Sequence, residues 1–162
     1  MSKSKILFIL SGSIAAFKAC QVISRLVQEG HDVQTVVTPS TLKFIGAATL
    51  EGLTGKPVLT DLWEQGRAMD HIHLSRWADY GVLCPASANT INRVAAGLGE
   101  DLLGNLLLAW PQEKPLHIFP AMNLEMLRNS ITQESLARLS SRGFTVHETG
   151  AGNLACGEEG SG

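Results

Sequence analysis

Basic runs, paired cysteines and membrane-length apolar stretches are all missing from this chain, and each absence removes a class of function. Thirteen Lys and Arg stand against 15 Asp and Glu, for a net charge of −2. No basic cluster offers the electrostatic footprint that nucleic acid or an anionic membrane would require. Cys20, Cys84 and Cys156 are odd in number, widely spaced and free of any Cys-x-x-Cys pair. That pattern argues against a disulfide framework and against zinc, so no metal is expected, and a reducing cytoplasm is the simplest home. The amino terminus is basic and then apolar, like a secretion signal, but its apolar run, residues 6–10, is of strand length and breaks at Ser11-Gly12. No other segment approaches a membrane span. Internal repeats and low-complexity tracts are lacking too.

What is present is an alternation of strand-like and helix-like segments, in a chain of 162 residues with 44% hydrophobic content. That is enough to bury one core without staples. Residues 6–10 read as a buried strand, residues 13–29 carry Ile14, Phe17, Val22, Ile23, Leu26 and Val27 at helical spacing before Gly30, and residues 33–37 supply the next strand. This order is a right-handed βαβ unit, the opening of a doubly wound parallel sheet. A helical stretch starting at Thr38-Pro39-Ser40, a helix over 47–53 and a short strand at 58–59 follow. Strands at 80–84, 116–119 and 144–147 then alternate with helices at 88–96, 102–110 and 131–142. Residues 61–69 show no period. The last segment, 150–162, holds five glycines in 13 residues and reads as a flexible flap on a domain spanning 1–149.

Two loops, Pro85-Ala86-Ser87-Ala88-Asn89-Thr90 and Pro120-Ala121-Met122-Asn123, each follow a strand and precede a helical stretch. Ligands of open α/β sheets bind outside the carboxyl ends of strands, so the chemistry is expected there. Ser11-Gly12-Ser13-Ile14 occupies the first strand-to-helix turn, where free N–H groups and the helix dipole favour phosphate, although a tight turn with Ser13 as a cap explains the same residues. Thr38 and Ser40 could complete a phosphate pocket or simply start a helix around Pro39. Gly150-x-Gly152-x-x-Ala155 has dinucleotide spacing but leads into no helix, so it is a decoy. His71 and His73 lack a third ligand for zinc. In 71–79, Ile72, Leu74 and Trp77 are expected to pack, and Arg76 belongs to the polar set. Cys156 lies on the glycine-rich segment, where a thiol could serve as proton donor or nucleophile. Cys20 and Cys84 fall on apolar positions and are expected to be inert.

Taken together, the segments 11–18, 71–79, 85–103, 120–127 and 154–162 resemble, in order and over nearly the whole chain, the homo-oligomeric flavin-containing cysteine decarboxylases. The resemblance is nearest to the branch that acts on phosphopantothenoylcysteine. It implies a flavodoxin-like, three-layer domain binding FMN, assembled as a trimer or dodecamer with the flavin between subunits. Gly12, Ser13 and Ile14 would hold the FMN phosphate with Thr38 and Ser40, while Ser87, Ala88, Asn89, Thr90 and Ala121 would line the flavin. His71 would be the base of an oxidative half-reaction that leaves a thioaldehyde. Loss of carbon dioxide would give an ene-thiolate, and Cys156 would supply a proton as the electrons return, so no net redox change results. Asn123 would bind the substrate carboxylate, with Arg76, Ala155 and Gly157 as further substrate contacts, and the partner would be a small cysteine-containing molecule. His73 matches a variable position. Leu127 stands where the family often has an aromatic, and the family pattern continues past Gly162, as in the first half of a bifunctional decarboxylase–ligase. The alternatives are a peptidyl-cysteine decarboxylase and a non-catalytic flavin-binding regulatory subunit. Cys156 argues against the first, and retention of His71, Asn123 and Cys156 together argues against the second.

Overall fold

Apolar runs of strand length, separated by amphipathic segments, assemble into one parallel sheet in the computed structural model, which describes residues 3–153 and 159–161. The strands are β1 (Lys5–Leu10), β2 (Asp32–Val37), β3 (Tyr80–Ala86), β4 (Leu116–Pro120) and β5 (Thr145–Val146), in the order β2-β1-β3-β4-β5. Every neighbouring pair is parallel. This is the flavodoxin-like order, and it reverses direction between β1 and β3, which opens a crevice at their carboxyl ends.

Helices cover both faces because parallel strands are apolar on both. Ile6, Phe8 and Leu10 of β1 pack with Ala16, Ala19 and Ile23 of α1 (Ala16–Gln28) and Leu50 of α2 (Ala47–Thr54). Leu7 and Ile9 face the other way, toward Ile91 of α4 (Ala88–Ala95), Leu102 and Leu106 of α5 (Leu102–Leu108) and Leu139 of α7 (Ser130–Ser141). The remaining helices are α3 (Asp70–Trp77) and α6 (Leu124–Arg128). A side chain at Gly81 would place its Cβ 2.8 Å from the Trp110 ring, so β3 carries glycine where that indole crosses it. The Cys84–Pro85 peptide is cis.

Several expected boundaries move for local reasons. α1 begins at Ala16 rather than 13, because the Ser13 carbonyl accepts the Ala16 N–H (3.0 Å) and its hydroxyl accepts the Ala15 N–H (3.3 Å), which makes 13–15 a turn. The stretch from Thr38 winds only a 3₁₀ turn at Thr41–Lys43. The short strand at 58–59 is a single bridge between Val36 and Leu59. Residues 144–147 pair only as Thr145–Val146. Helix α3 forms where no element was assigned: Leu74 and Trp77 pack on the core, and Asp70 lies in the first turn, where a carboxylate suits the dipole. In the glycine-rich segment, β6 (Ala151–Asn153) pairs antiparallel with β7 (Glu159–Ser161), although its sequence carries no strand pattern.

Candidate functional site

Three loops meet at the carboxyl ends of β1, β3 and β4, and the hydrogen bonds between them define the site. The first leaves β1 at Ser11, whose fully buried hydroxyl donates to the Pro85 carbonyl (2.7 Å) and accepts the Ser87 N–H (2.8 Å). The Ser11 N–H also reaches the Pro85 carbonyl (3.1 Å). The third loop is joined to the second by the Ala121 N–H, which donates to the Ala86 carbonyl (3.0 Å).

Next to the first loop lies a chain of hydroxyls at the end of β2. Thr38 Oγ1 is 2.9 Å from Ser40 Oγ and 3.0 Å from Thr41 Oγ1, and buried Thr41 donates to the Leu10 carbonyl (2.9 Å). Gly12 approaches this group so closely that a Cβ there would fall 2.5 Å from Ser40 Oγ. The close approach explains why the turn carries glycine. Ile14 is 54% exposed.

Ser87 caps α4, its oxygen accepting the Thr90 N–H (3.3 Å) while its hydroxyl donates to Thr90 Oγ1 (3.2 Å). Ala88 and Thr90 are buried and Asn89 is exposed. A cavity of about 130 Å³ brings Thr38 and Ser40 together with Asn89 and Thr90, and adds Arg93 and Asp101 to its wall. The sequence reading missed Arg93 and Asp101. The helical position of Arg93, one turn after Asn89, was the available signal. Thr41 was missed as well, and Ser11, though part of the quoted turn, was given no role of its own, since a buried hydroxyl has no periodic signature. A larger hollow of about 710 Å³, lined by Val94, Leu107, Trp110 and Phe144 among others, contains none of the expected site residues.

Asn123 caps α6: its Oδ1 accepts the Met126 N–H (2.9 Å), which commits the carbonyl end of the amide and leaves the NH₂ end without a bond among the described residues. His71 sits in the first turn of α3, its Nδ1 buried and without a hydrogen-bond partner among the described residues. It does not line the Thr38–Thr90 cavity. Arg76 is exposed at the far end of α3, which runs away from the loops toward the start of β3, so this chain does not bring Arg76 to them. His73 is exposed. Cys156, Ala155 and Gly157 lie outside the described residues. Burial pushes the Cys84 thiol up to about 11 and raises that of Cys20, so both stay protonated at neutral pH, as inert residues should. Among the described residues no cluster of His, Cys, Asp and Glu could hold a metal ion, and no helix is long and apolar enough to cross a membrane.

The flavoprotein family model matches residues 1–162. The chain belongs to the flavoprotein family. Within this flavoprotein's relatives, a coenzyme A biosynthesis bifunctional protein CoaBC from Vibrio parahaemolyticus serotype O3:K6 is 41% identical over 164 residues, covering 100% of this chain and 41% of the relative. The chain thus spans about two fifths of the length of the curated relatives it matches. Among solved structures, a cysteine-to-serine variant of a PPC decarboxylase complexed with pantothenoylaminoethenethiol superposes with a TM-score of 0.87 at 36% identity, over 99% of this chain and 90% of that one. The FMN binding protein AtHal3 superposes with a TM-score of 0.82 at 36% identity, over 99% and 89%. The same flavodoxin-like architecture therefore recurs in both neighbours.

Proposed function

We propose that this flavoprotein carries out the FMN-dependent decarboxylation of 4′-phosphopantothenoylcysteine to 4′-phosphopantetheine in coenzyme A biosynthesis, as the decarboxylase portion of a bifunctional protein of the CoaBC kind. The observation that carries the reading is the match of nearly the whole chain to a PPC decarboxylase, in a molecule whose three loops converge at the sheet's switch point.

The residues fit FMN. Gly12 leaves room against Ser40 that any side chain would fill, and the hydroxyls of Thr38 and Ser40 line a cavity shared with Asn89 and Thr90. Gly12, Ser13 and Ile14 would receive the phosphate with Thr38 and Ser40, and Ser87, Ala88, Asn89, Thr90 and Ala121 would line the ring system. When bound, FMN supplies a two-electron acceptor that later becomes the donor, so the reaction needs no external reductant.

The chain's own groups then divide the work. Because the Oδ1 of Asn123 is tied to the Met126 N–H, its NH₂ can hold the substrate carboxylate. A neutral donor fixes that carboxylate without the positive charge that would oppose its departure as carbon dioxide. His71 would take a proton in the oxidative half; its Nδ1 is buried and has no hydrogen-bond partner among the described residues. Cys156, flanked by Ala155 and Gly157 on the segment that would cover the substrate, would return a proton to the ene-thiolate. His71 and Arg76 stand apart from the loop cavity, and Ile14 and Phe17 beside the first loop are more than half exposed. Both facts support a homo-oligomer, trimer or dodecamer, in which the flavin lies between subunits. The partly exposed, unpaired Cys20 and Cys84 accord with a cytoplasmic location.

Replacing Cys156 by Ser separates the half-reactions. Oxidation and loss of carbon dioxide are expected to persist while the ene-thiol accumulates in place of the reduced thiol, as read by mass spectrometry. An unchanged yield of 4′-phosphopantetheine from that variant would remove Cys156 from the reaction.

A further inference from the structure

Ser11 is the only contact through which a side chain of the first loop is bonded to the second loop among the described residues, and its geometry is specific. The side chain has no solvent exposure, and its single hydroxyl acts in both directions, as donor to the Pro85 carbonyl at 2.7 Å and as acceptor from the Ser87 N–H at 2.8 Å. One residue later comes Gly12, set against Ser40. Two residues after Pro85 comes Ser87, whose oxygen starts α4 and fixes Thr90. The hydroxyl therefore stands between the loop whose amides and hydroxyls would take a phosphate and the loop whose residues would line a ring system. The Pro85 carbonyl keeps the Ser11 N–H if the hydroxyl is removed. The Ser87 N–H has no second acceptor among the described residues, so the loss falls on the ring side.

We propose that Ser11 is a positioning residue for the flavin: by bonding the Gly12–Ser13 loop to the Ser87–Thr90 loop it fixes the distance and orientation between the two halves of the FMN cradle. The proposal rests on the reading of these loops as the FMN site. A ligand that engages two half-sites gains affinity only while their relation is held, so breaking the lock taxes a ligand that spans both more than one that uses a single half. FMN would span both halves. Riboflavin, which lacks the phosphate, would use mainly the ring half.

The test compares FMN and riboflavin affinities of the full chain, measured by recovery of flavin fluorescence on dilution of the flavin-loaded protein, for wild type, Ser11→Ala and Gly12→Ala. Ser11→Ala is expected to keep its circular dichroism spectrum, to weaken FMN roughly tenfold or more, the scale of one lost buried hydrogen bond, and to narrow the preference for FMN over riboflavin. A merely structural role would weaken both flavins alike and leave that preference unmoved. Gly12→Ala, whose Cβ would press on Ser40 Oγ, is expected to lose FMN outright. If Gly12→Ala retains FMN, the reading of the site fails and the proposal falls with it. If Gly12→Ala loses FMN while Ser11→Ala binds both flavins as wild type does, the site stands and the proposal for Ser11 is overturned. Should Ser11→Ala fail to fold, Ser11→Cys keeps the size of the group with a far weaker acceptor, and wild-type affinity and preference in that variant would likewise overturn the proposal.

Discussion

At the scale of single residues, Asn123 shows how one amide can serve fold and chemistry together. Its oxygen caps α6 and its nitrogen faces away from that bond. Aspartate caps helices as well as asparagine does, so Asn123→Asp should fold with a melting temperature within a few degrees of wild type, on the scale of about 0.5 kcal/mol. The same change puts a carboxylate oxygen in place of the NH₂ that would face the substrate's carboxylate. The efficiency kcat/KM should fall about a hundredfold or more because like-charge repulsion weakens binding of the substrate carboxylate, checked by comparing initial rates at low substrate concentration with thermal melts. Retained efficiency would remove Asn123 from the carboxylate site. The loops bearing Asn123, Ser87 and Thr90 were legible in the sequence because small and polar residues interrupt an apolar pattern at strand ends. The bridging role of Ser11 and the places of Thr41 and Arg93 were not, since what singles them out is a hydrogen bond or a cavity wall formed with residues far along the chain.

At the scale of elements, α3 carries His71 at one end and is anchored at the other by a single cation. The Lys114 ammonium donates to the carbonyls of Ser75 (3.0 Å), Arg76 (2.6 Å) and Ala78 (2.7 Å), taking up acceptors at the end of the helix where positive charge is favoured. Lys114→Met should therefore cost about 2 kcal/mol of stability, seen as a drop in the denaturation midpoint with an unchanged slope. An unaltered midpoint would show that solvent satisfies those carbonyls equally well. The sequence did not reveal α3, because its eight residues alternate polar and apolar at His71-Ile72-His73-Leu74 and present no helical stripe. Tertiary contacts of Leu74 and Trp77, and Lys114 from 36 or more residues away, supply what the local pattern lacks. The five strands of the parallel sheet, by contrast, were all legible, β1 most plainly, since a parallel strand buried on both faces reads as a continuous apolar run. Their ends shifted where hydrogen bonds rather than hydropathy decide, as at Ser13 and β5.

At the scale of the whole molecule, the edge of the sheet introduces a dependence on pH. His117 of β4 places Nδ1 3.0 Å from Nε2 of His147, whose ring stacks on Phe119 with centroids 4.2 Å apart. Burial, and then the neighbouring His147, hold His117 below its usual 6.5. The unfolded chain therefore binds a proton at a higher pH than the folded one. The contribution of His117 is complete above 6.5 and declines as the pH falls from there toward the lowered folded value. Between pH 7.5 and 5.5 the melting temperature of wild type should fall more than that of His117→Gln, and parallel curves would assign the acid sensitivity elsewhere. The overall architecture and the flavoprotein family were legible because the motifs recur in order from the first loop to the last.

Incubating the purified, FMN-loaded protein with 4′-phosphopantothenoylcysteine, without added reductant, and following the products by mass decides whether the chain is a decarboxylase of this substrate. Carbon dioxide should be released and 4′-phosphopantetheine formed, with the flavin oxidised at the end as at the start. Unchanged substrate in the presence of bound FMN would contradict it.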